Sequence, residues 1–480
     1  MSTPAIAKSD HTIGVGRPVI GLRDLFDLSI VVLAASLLAW VMFVCDAERP
    51  EMGGANLLLG INGALAIAGL VVAMRCRHPI LMTSFYFDFI FLAIAPIQQI
   101  GVKFDPIFSY ENDFNAALVC CLTFTVTGLI ALLVCGRPVR STGRLPSFLA
   151  RSIYRAPYYP LVLWTAIAIA VGVVLAFFGP LLLTSRYELS QFVISTLDKS
   201  GSLLLTSFLS PLILIGSVIG LRSALIKRER LWIMAFFVLA TLAGVITLNP
   251  AVLPRFRISA LLVFALLALT RWNNTRLLAL FLAAGIAVSP LLNAFRTATS
   301  FGAEVRPFER FFAHLDFDCF SLIVHVIHYV GNEGFSYGTN ILSALLFFIP
   351  RAIWPGKSEH VGYYIFPQLR YYRDVWTDNV SSPPPAEGYF ACGMIGAAVF
   401  GALVWAGFVV LERAARSAER DSPLQLMACL TPMYAIMILR GPFLVGYSEL
   451  LGNYAALATA LALLHFKLQL APPHPGSART

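Results

Sequence analysis

The chain has 480 residues, 58% hydrophobic and 13% charged, with a mean hydropathy of +0.76. A soluble domain carries about a quarter charged residues, and no single water-facing core holds this much apolar side chain, so lipid is the solvent for much of the protein. The net charge of +9 does not point to nucleic acid, because the basic residues cluster in short loops as the positive-inside rule demands.

The first apolar run, 25–45, is followed by Asp46, Glu48 and Arg49 without a small-residue cleavage site, so it reads as a membrane span and not a signal peptide. Further runs follow at 55–74, 81–98, 114–135, 159–178, 203–221, 231–248, 258–270, 277–295, 389–411, 424–440 and 446–466. The expected fold is therefore an all-α polytopic membrane protein with about twelve transmembrane helices. Loop charges orient it. Lys8, Arg17 and Arg23 place the N-terminus inside, and Asp46, Glu48 and Glu51 outweigh Arg49 outside. Arg75, Arg77 and His78 return inside, Asp105, Glu111 and Asp113 outweigh Lys103 outside, and Arg137, Arg140, Arg144, Arg151 and Arg155 form the strongest inside loop. Arg222, Lys227, Arg228 and Arg230, then Arg271 and Arg276, then Arg413, Arg416 and Arg420 continue the alternation, giving both termini inside.

The expected organisation is nine spans within 1–295, a large non-cytoplasmic loop at 296–387, three spans within 388–470 and a disordered tail at 471–480, where Pro and Gly gather. The large loop is rich in aromatic and apolar residues, which argues against disorder. Its apolar stretches, such as Ile341–Ile349, are too short to span and suit short helices lying at the interface. There is no internal repeat. Among the eight cysteines no C-x-x-C occurs, so neither a metal site nor a disulfide framework is supported.

Candidate residues gather on the outer side. Arg255 and Arg257 follow Pro250 and Pro254 in a basic outer segment that runs against the charge rule, so something should compensate them. An anionic ligand held by guanidinium forks is one reading, and snorkelling to lipid headgroups the other. Arg296 re-enters on the same side. In Ile349-Pro-Arg-Ala-Ile-Trp-Pro-Gly-Lys357, two prolines and a glycine stop a helix and present Arg351 and Lys357 beside Trp354, as a ligand site or as an interfacial anchor.

His314-Leu-Asp-Phe-Asp318 offers a general base or a D-x-D metal pair. On a helix, residues two apart diverge, which favours simple solvation and leaves Asp318 or Asp316 as the base candidate. His325 and His328 share a helix face but make too small a set for zinc. No metal and no cofactor are expected. Glu387, preceded by Ser381 and Ser382 and followed by Tyr389, enters the tenth span, where an ionised carboxylate is costly unless used or paired. Gly388, Gly393, Gly396 and Gly401 suit close helix packing. Arg440-Gly-Pro442, with Tyr447 and Glu449 nearby, ends the eleventh span on the same outer side.

Phe348-Ile-Pro-Arg-Ala-Ile-Trp-Pro-Gly-Lys357, Ser381-Ser-Pro and Glu387-Gly-Tyr-Phe-Ala-Cys-Gly-Met-Ile-Gly396, in a twelve-span plan with a late large outer loop, resemble the Wzy-type O-antigen polymerases. The resemblance covers the last third by motif and the rest by architecture. It implies a bacterial inner-membrane glycosyltransferase that moves a growing glycan from undecaprenyl pyrophosphate onto the next lipid-linked repeat unit at the periplasmic face, building O-antigen or another surface polysaccharide. The implied partners are the lipid-linked oligosaccharide, the bilayer, a chain-length regulator and a flippase, with no nucleic acid. Arg351 and Lys357 match the family's first string, and Glu387, Gly388 and Tyr389 its second. The site expected from the resemblance together with position and charge, which alone bring in Asp318, Arg255, Arg257 and Arg440, has Arg351, Glu387 and Asp318 as catalytic residues. Arg255, Arg257, Arg296, Lys357 and Arg440 would hold pyrophosphate, and Trp354, Tyr389 and Ser382 would hold glycan. The rival readings are a ligase-type glycan transfer and a non-enzymatic transporter or flippase of lipid-linked glycan.

Overall fold

The computed structural model describes residues 22–104, 110–135, 146–155, 158–178, 205–247, 255–298, 311–313, 315–369 and 380–466. Among them every regular element is helical and there is no strand. The described residues of each of the twelve apolar runs lie on a helix. In chain order these are α1 (Leu22–Glu48), α2 (Gly53–Arg75), α3 (Pro79–Phe89), which passes through a π-helical turn at Ile90–Ile94 into α4 (Ala95–Gly101), α5 (Phe114–Cys135) and α6 (Pro160–Phe178). They continue with α7 (Ser210–Lys227), α8 (Arg230–Thr247), α9 (Arg255–Leu269) and α10 (Thr275–Ala298). After α11 (Cys319–Glu333), α12 (Thr339–Leu345) and α13 (Val361–Ile365) come α14 (Pro384–Ser417), α15 (Pro423–Arg440) and α16 (Phe443–His465).

Among the described residues seven helical segments are long and apolar enough to cross a membrane: 24–48, 50–75, 79–101, 114–135, 207–227, 384–417 and 423–440. Four more are apolar over shorter described stretches, 160–176, 230–245, 256–269 and 275–286. The twelfth, α16, is long but carries Glu449 and Asn453 in its apolar sequence. The outer helices turn large apolar side chains outward, among them Phe43, Leu133, Leu231, Val245 and Ile395, each at least 70% exposed. Water would not tolerate such a wall, whereas lipid tails solvate it.

The segment α3–α4 is the axis of the bundle: from Pro79 to Gly101 every residue but Tyr86 is buried. It packs on α2 and α15, and α15 packs in turn on α9 and α16. At 1.5 Å per residue its 23 residues span about 34 Å, so its two ends define the two ends of the molecule. The Pro79 end gathers the arginine-rich turns. Arg416 donates to the Arg77 carbonyl at 3.0 Å, Thr275 to the Met74 carbonyl at 2.8 Å, and Arg222 to the Leu269 carbonyl at 2.7 Å and to Asp421 at 3.2 Å. There too Glu412, at the far end of α14, accepts from the Ile80 N–H at 2.7 Å. At the Gly101 end Gln99 donates to the carbonyls of Phe312 and Phe317 at 2.8 and 2.9 Å, which fastens the segment leading into α11.

Two expectations need correction. The helix of the tenth apolar run begins not near Tyr389 but at Pro384, and eight residues further on come two non-helical residues, Cys392 and Gly393, the latter at φ 64°. The left-handed glycine folds the first turns of α14 back on the rest. A Cβ built at Gly388 would lie 2.7 Å from the Ala397 Cα, far inside van der Waals contact. Gly388 and Gly396 are therefore packing residues, but against each other within one broken helix. Secondly, Asp316 and Asp318 do not diverge along a helix. Asp316 lies in a tight turn, Leu315–Phe317, and Asp318 precedes α11, so helical spacing does not govern them.

Of the large loop, the described part is built from α11, α12, α13 and the start of α14. Helix α11 is buried along most of its length and packs on α14 and α5. By contrast α12 and the turn after it expose Leu342, Leu345, Phe348 and Ile353, the pattern of a segment with one face in the lipid interface. The segment 249–254, His314, Asp378, Asn379, the N-terminal basic residues through Arg17, the loop arginines 137–144 and the tail 471–480 lie outside the described residues.

Candidate active site

Three chain segments meet at the Gly101 end of the bundle. Helix α15 stops at Arg440 because Gly441 and Pro442 cannot continue it. The Arg440 guanidinium then faces the turn before α11. Its Nε donates to the Asp316 carbonyl at 2.8 Å, and one terminal nitrogen lies 4.0 Å from Asp316 Oδ1 and 4.0 Å from Asp318 Oδ1. The two carboxylates differ: the Asp316 side chain is 42% exposed and that of Asp318 only 1%. Asp318 also accepts a hydrogen bond from the Ser381 hydroxyl. The next residue, Ser382, donates its N–H to the Arg440 carbonyl at 3.0 Å. Its hydroxyl is buried beside Glu387.

Glu387 sits in the folded-back first turns of α14 and is itself buried. One carboxylate oxygen accepts from the Asn340 side-chain amide at 2.8 Å and the other from the Phe443 N–H at 3.4 Å. Asn340 is oriented by the Ser336 hydroxyl at 2.7 Å and donates also to the Glu387 carbonyl at 3.2 Å. Both donors to Glu387 are neutral, and among the described residues no cation pairs with it. Arg440, Asp316, Asp318, Ser381, Ser382 and Glu387 thus form one connected polar cluster where the start of α14 meets the junction of α15 and α16.

The turn from Pro350 to Lys357 is a separate cluster. The Lys357 ammonium donates to the carbonyls of Leu346, Phe347 and Ile349 at 3.0, 2.8 and 3.1 Å, so all three of its hydrogens are used in closing the chain beyond α12. Burial, with the neighbouring Arg351 charge, pulls the Lys357 pKa below the ordinary lysine value. Arg351 donates to the Lys357 carbonyl at 2.6 Å and pairs with Glu359 at 2.6 Å, while its side chain remains 46% exposed. Trp354 is half-buried beside it. An aromatic chain leads from this turn to the first cluster: Phe347 meets Tyr447 edge-on at 6.1 Å, and Tyr447 stacks on Phe443 at 5.4 Å.

Arg257 is compensated by a residue of the protein. It donates to Glu449 of α16 at 2.6 Å, and Phe256 next to it meets the Tyr434 ring edge-on. The out-of-rule positive charge is answered by a buried acid, a third solution beside ligand and headgroup. Arg255 opens α9 and Arg296 lies near the end of α10, and their side chains lie outside the described residues. Tyr389 is half-buried in the folded-back turns. His328 stacks on Tyr110 at 3.5 Å and reaches Asp113 at 3.2 Å, whereas His325 bonds to the Ser321 carbonyl. Among the described residues no group of three or more His, Cys, Asp or Glu side chains is placed to hold a metal ion.

Of the expected site, then, Asp318, Ser382, Glu387 and Arg440 come together, and Arg351, Trp354 and Lys357 form the second cluster. Sequence reasoning missed Asn340, whose only signal was an amide near a short helix, and the pairing of Glu449 with Arg257. Asp88 was missed too, although an acid within an unbroken apolar run was a readable signal. No family model, no curated protein and no solved structure matches the chain.

Proposed function

We propose that the chain is a membrane glycosyltransferase that polymerises undecaprenyl-pyrophosphate-linked oligosaccharide repeat units, at the periplasmic face of the bacterial inner membrane, within a twelve-span plan with both termini inside. The observation that supports this reading best is the cluster at the Gly101 end: an arginine set against two aspartates, its carbonyl bonded by the N–H of Ser382, whose side chain lies beside a buried glutamate that no described cation neutralises.

Pyrophosphate is already a good leaving group, so cations that stabilise its growing charge can supply much of the catalysis. In the step proposed, the acceptor hydroxyl oxygen bonds to the anomeric carbon of the donor chain. The bond from that carbon to the pyrophosphate oxygen breaks, and its electron pair stays on the lipid pyrophosphate. Arg440, with Arg351 from the neighbouring turn, meets that charge. The hydroxyl proton passes to a carboxylate. Glu387 is the better candidate, because its hydrogen-bond donors are neutral while Asp318 is engaged by Arg440. The half-buried Trp354 and Tyr389 offer faces for sugar rings. Ligase-type transfer uses the same donor and the same chemistry with another acceptor.

One observation favours transport. Asp88, in the middle of the bundle, is fully buried, its two oxygens accept no hydrogen bond among the described residues although Thr125 is adjacent, and a π-helical turn begins two residues on, at Ile90. Intramembrane acids of this kind mark ion and proton paths. Deleting the gene and sizing the cell-surface glycan separates the readings. A polymerase defect leaves single repeat units on the acceptor, a ligase defect leaves none attached, and a flippase defect traps units on the cytoplasmic leaflet. Single units that lengthen again with the wild-type gene but not with Glu387→Gln are the expected result. Normal chain lengths in the deletion strain would overturn the proposal.

A further inference from the structure

At the Pro79 end, about 34 Å along α3–α4 from the candidate site, the structure holds a second charged feature that the proposed chemistry does not use. The end of α2 and the turn before α10 enclose a cavity of about 210 Å³ lined by Arg75, Arg77, Arg271 and Arg276 together with Asn273 and Asn274. That is room for several waters or for an anion the size of phosphate. Among the described residues the ion pairs of these arginines run to one acid. Asp27 is 4% exposed and lies 3.3 Å from Arg276 and 3.7 Å from Arg75. Arg77 and Arg271 make no ion pair and no side-chain hydrogen bond among the described residues, and both are exposed. The walls are fixed: Thr275 ties α10 to the end of α2 at 2.8 Å, and Asn274 caps α10 through the Leu277 N–H at 3.4 Å. Arg77 holds a left-handed backbone, φ 59°, where glycine or asparagine would cost less.

A second cavity of about 240 Å³ adjoins the first and shares Arg271 and Asn273 with it. Its other walls set the apolar Leu267, Ala268, Trp272 and Leu426 beside Gln425 and the Arg420–Asp421 pair. A guanidinium pocket adjoining one with an apolar wall is matched by an amphiphile with a phosphate head. Guanidinium forks bind phosphate oxygens in pairs, and basic pockets between membrane helices are suited to acidic headgroups.

We propose that this pair of cavities is a binding site for the phosphate of an anionic phospholipid, with Arg77 and Arg271 as its unpaired anchors. The proposal is independent of what happens at the other end of the bundle, and its test reads binding alone. The full chain is purified in a neutral detergent and titrated with phosphatidylglycerol or with phosphatidylcholine, with retained lipid counted by native mass spectrometry. Inorganic phosphate and pyrophosphate are added as competitors in parallel.

Wild-type protein is expected to retain phosphatidylglycerol and not phosphatidylcholine, with affinity falling about tenfold or more in Arg77→Gln/Arg271→Gln, since charge-assisted hydrogen bonds are lost. Arg77→Lys/Arg271→Lys should fall in between, and Arg228→Gln, outside the cavity, should bind as the wild type does. Displacement of the lipid by millimolar phosphate would assign the same site to phosphate from solution, whereas resistance to it assigns the lipid. Equal retention of the two lipids, or unchanged binding in the double glutamine variant, would overturn the site. Both anchor residues are exposed and unpaired, so these variants should fold, and a melting curve for each verifies that they do.

Discussion

Arg440 and Asp318 provide the sharpest test of the candidate site. At 4.0 Å two unit charges interact by about 4 kcal/mol at an effective dielectric constant near 20. The guanidinium is 34% exposed and the carboxylate 1%, so solvent screens one partner and not the other. Desolvation of the aspartate offsets part of the attraction. Asp316, 42% exposed and also at 4.0 Å, should add no more than about 1 kcal/mol. Arg440→Ala is therefore expected to destabilise the protein by about 3 kcal/mol, because it removes a cation set beside a buried carboxylate. Asp318→Asn keeps an acceptor for the Ser381 hydroxyl and should cost less. In the double variant most of the Arg440→Ala loss should already be spent, giving a coupling of about 2 kcal/mol. The assay is a double-mutant cycle on denaturant unfolding of the detergent-solubilised protein, with the two single variants, the double and the wild type. Additive losses, with coupling below about 0.5 kcal/mol, would refute the ion pair as a structural and electrostatic unit.

Other outcomes follow from the same geometry. Gly388→Ala forces a Cβ against the backbone of Ala397, where no rotamer relieves it, so a loss of about 2 kcal/mol or more is expected, together with reduced chain lengthening; unfolding midpoints equal to wild type would refute the folded-back helix. The Arg257 and Glu449 pair, 2.6 Å apart, predicts that Glu449→Gln alone destabilises by about 3 kcal/mol and that Arg257→Met in addition recovers much of it, read by the same unfolding assay; no recovery would place Arg257 elsewhere. Arg351 is half-exposed and its pairing with Glu359 lies at the surface, so Arg351→Ala should change stability by less than about 1 kcal/mol while abolishing chain lengthening on a glycan gel. Polymerisation by isolated membranes should survive EDTA; loss on chelation and rescue by a divalent ion would return Asp316 and Asp318 to a metal role.

Helices were legible in the sequence wherever the solvent preference of a run decided the matter. The described residues of the twelve apolar runs, from 25–45 to 446–466, lie on helices, seven of them in segments long and apolar enough to cross a membrane; an apolar backbone segment in lipid must satisfy its own hydrogen bonds, and a helix does so locally. The arginines of the short loops were equally readable: Arg222, Arg276 and Arg416 gather at one end of the bundle through contacts with the carbonyls and acids of neighbouring segments. Candidate residues chosen by charge at the mouths of runs, Arg440 and Glu387 above all, do meet at the other end.

Pairings were settled by tertiary structure alone. Nothing in the local sequence joins Arg257 to Glu449, 192 residues away, since an ion pair depends on which helix ends become neighbours. Spacing rules misread Asp316 and Asp318, because a turn rather than a helix carries them to Arg440. Lys357 looked like a ligand for phosphate and turned out to bond three carbonyls of its own loop. The glycines of 388–396 announced close packing, but only the break at Gly393 made the helix its own partner. The sequence by itself thus determined which segments leave water and which residues stay at their ends, because transfer to lipid is a local property of each run. The choice of partner for each charge belonged to the packed bundle, because an electrostatic contact between distant segments exists only once the chain has brought them within a few ångströms.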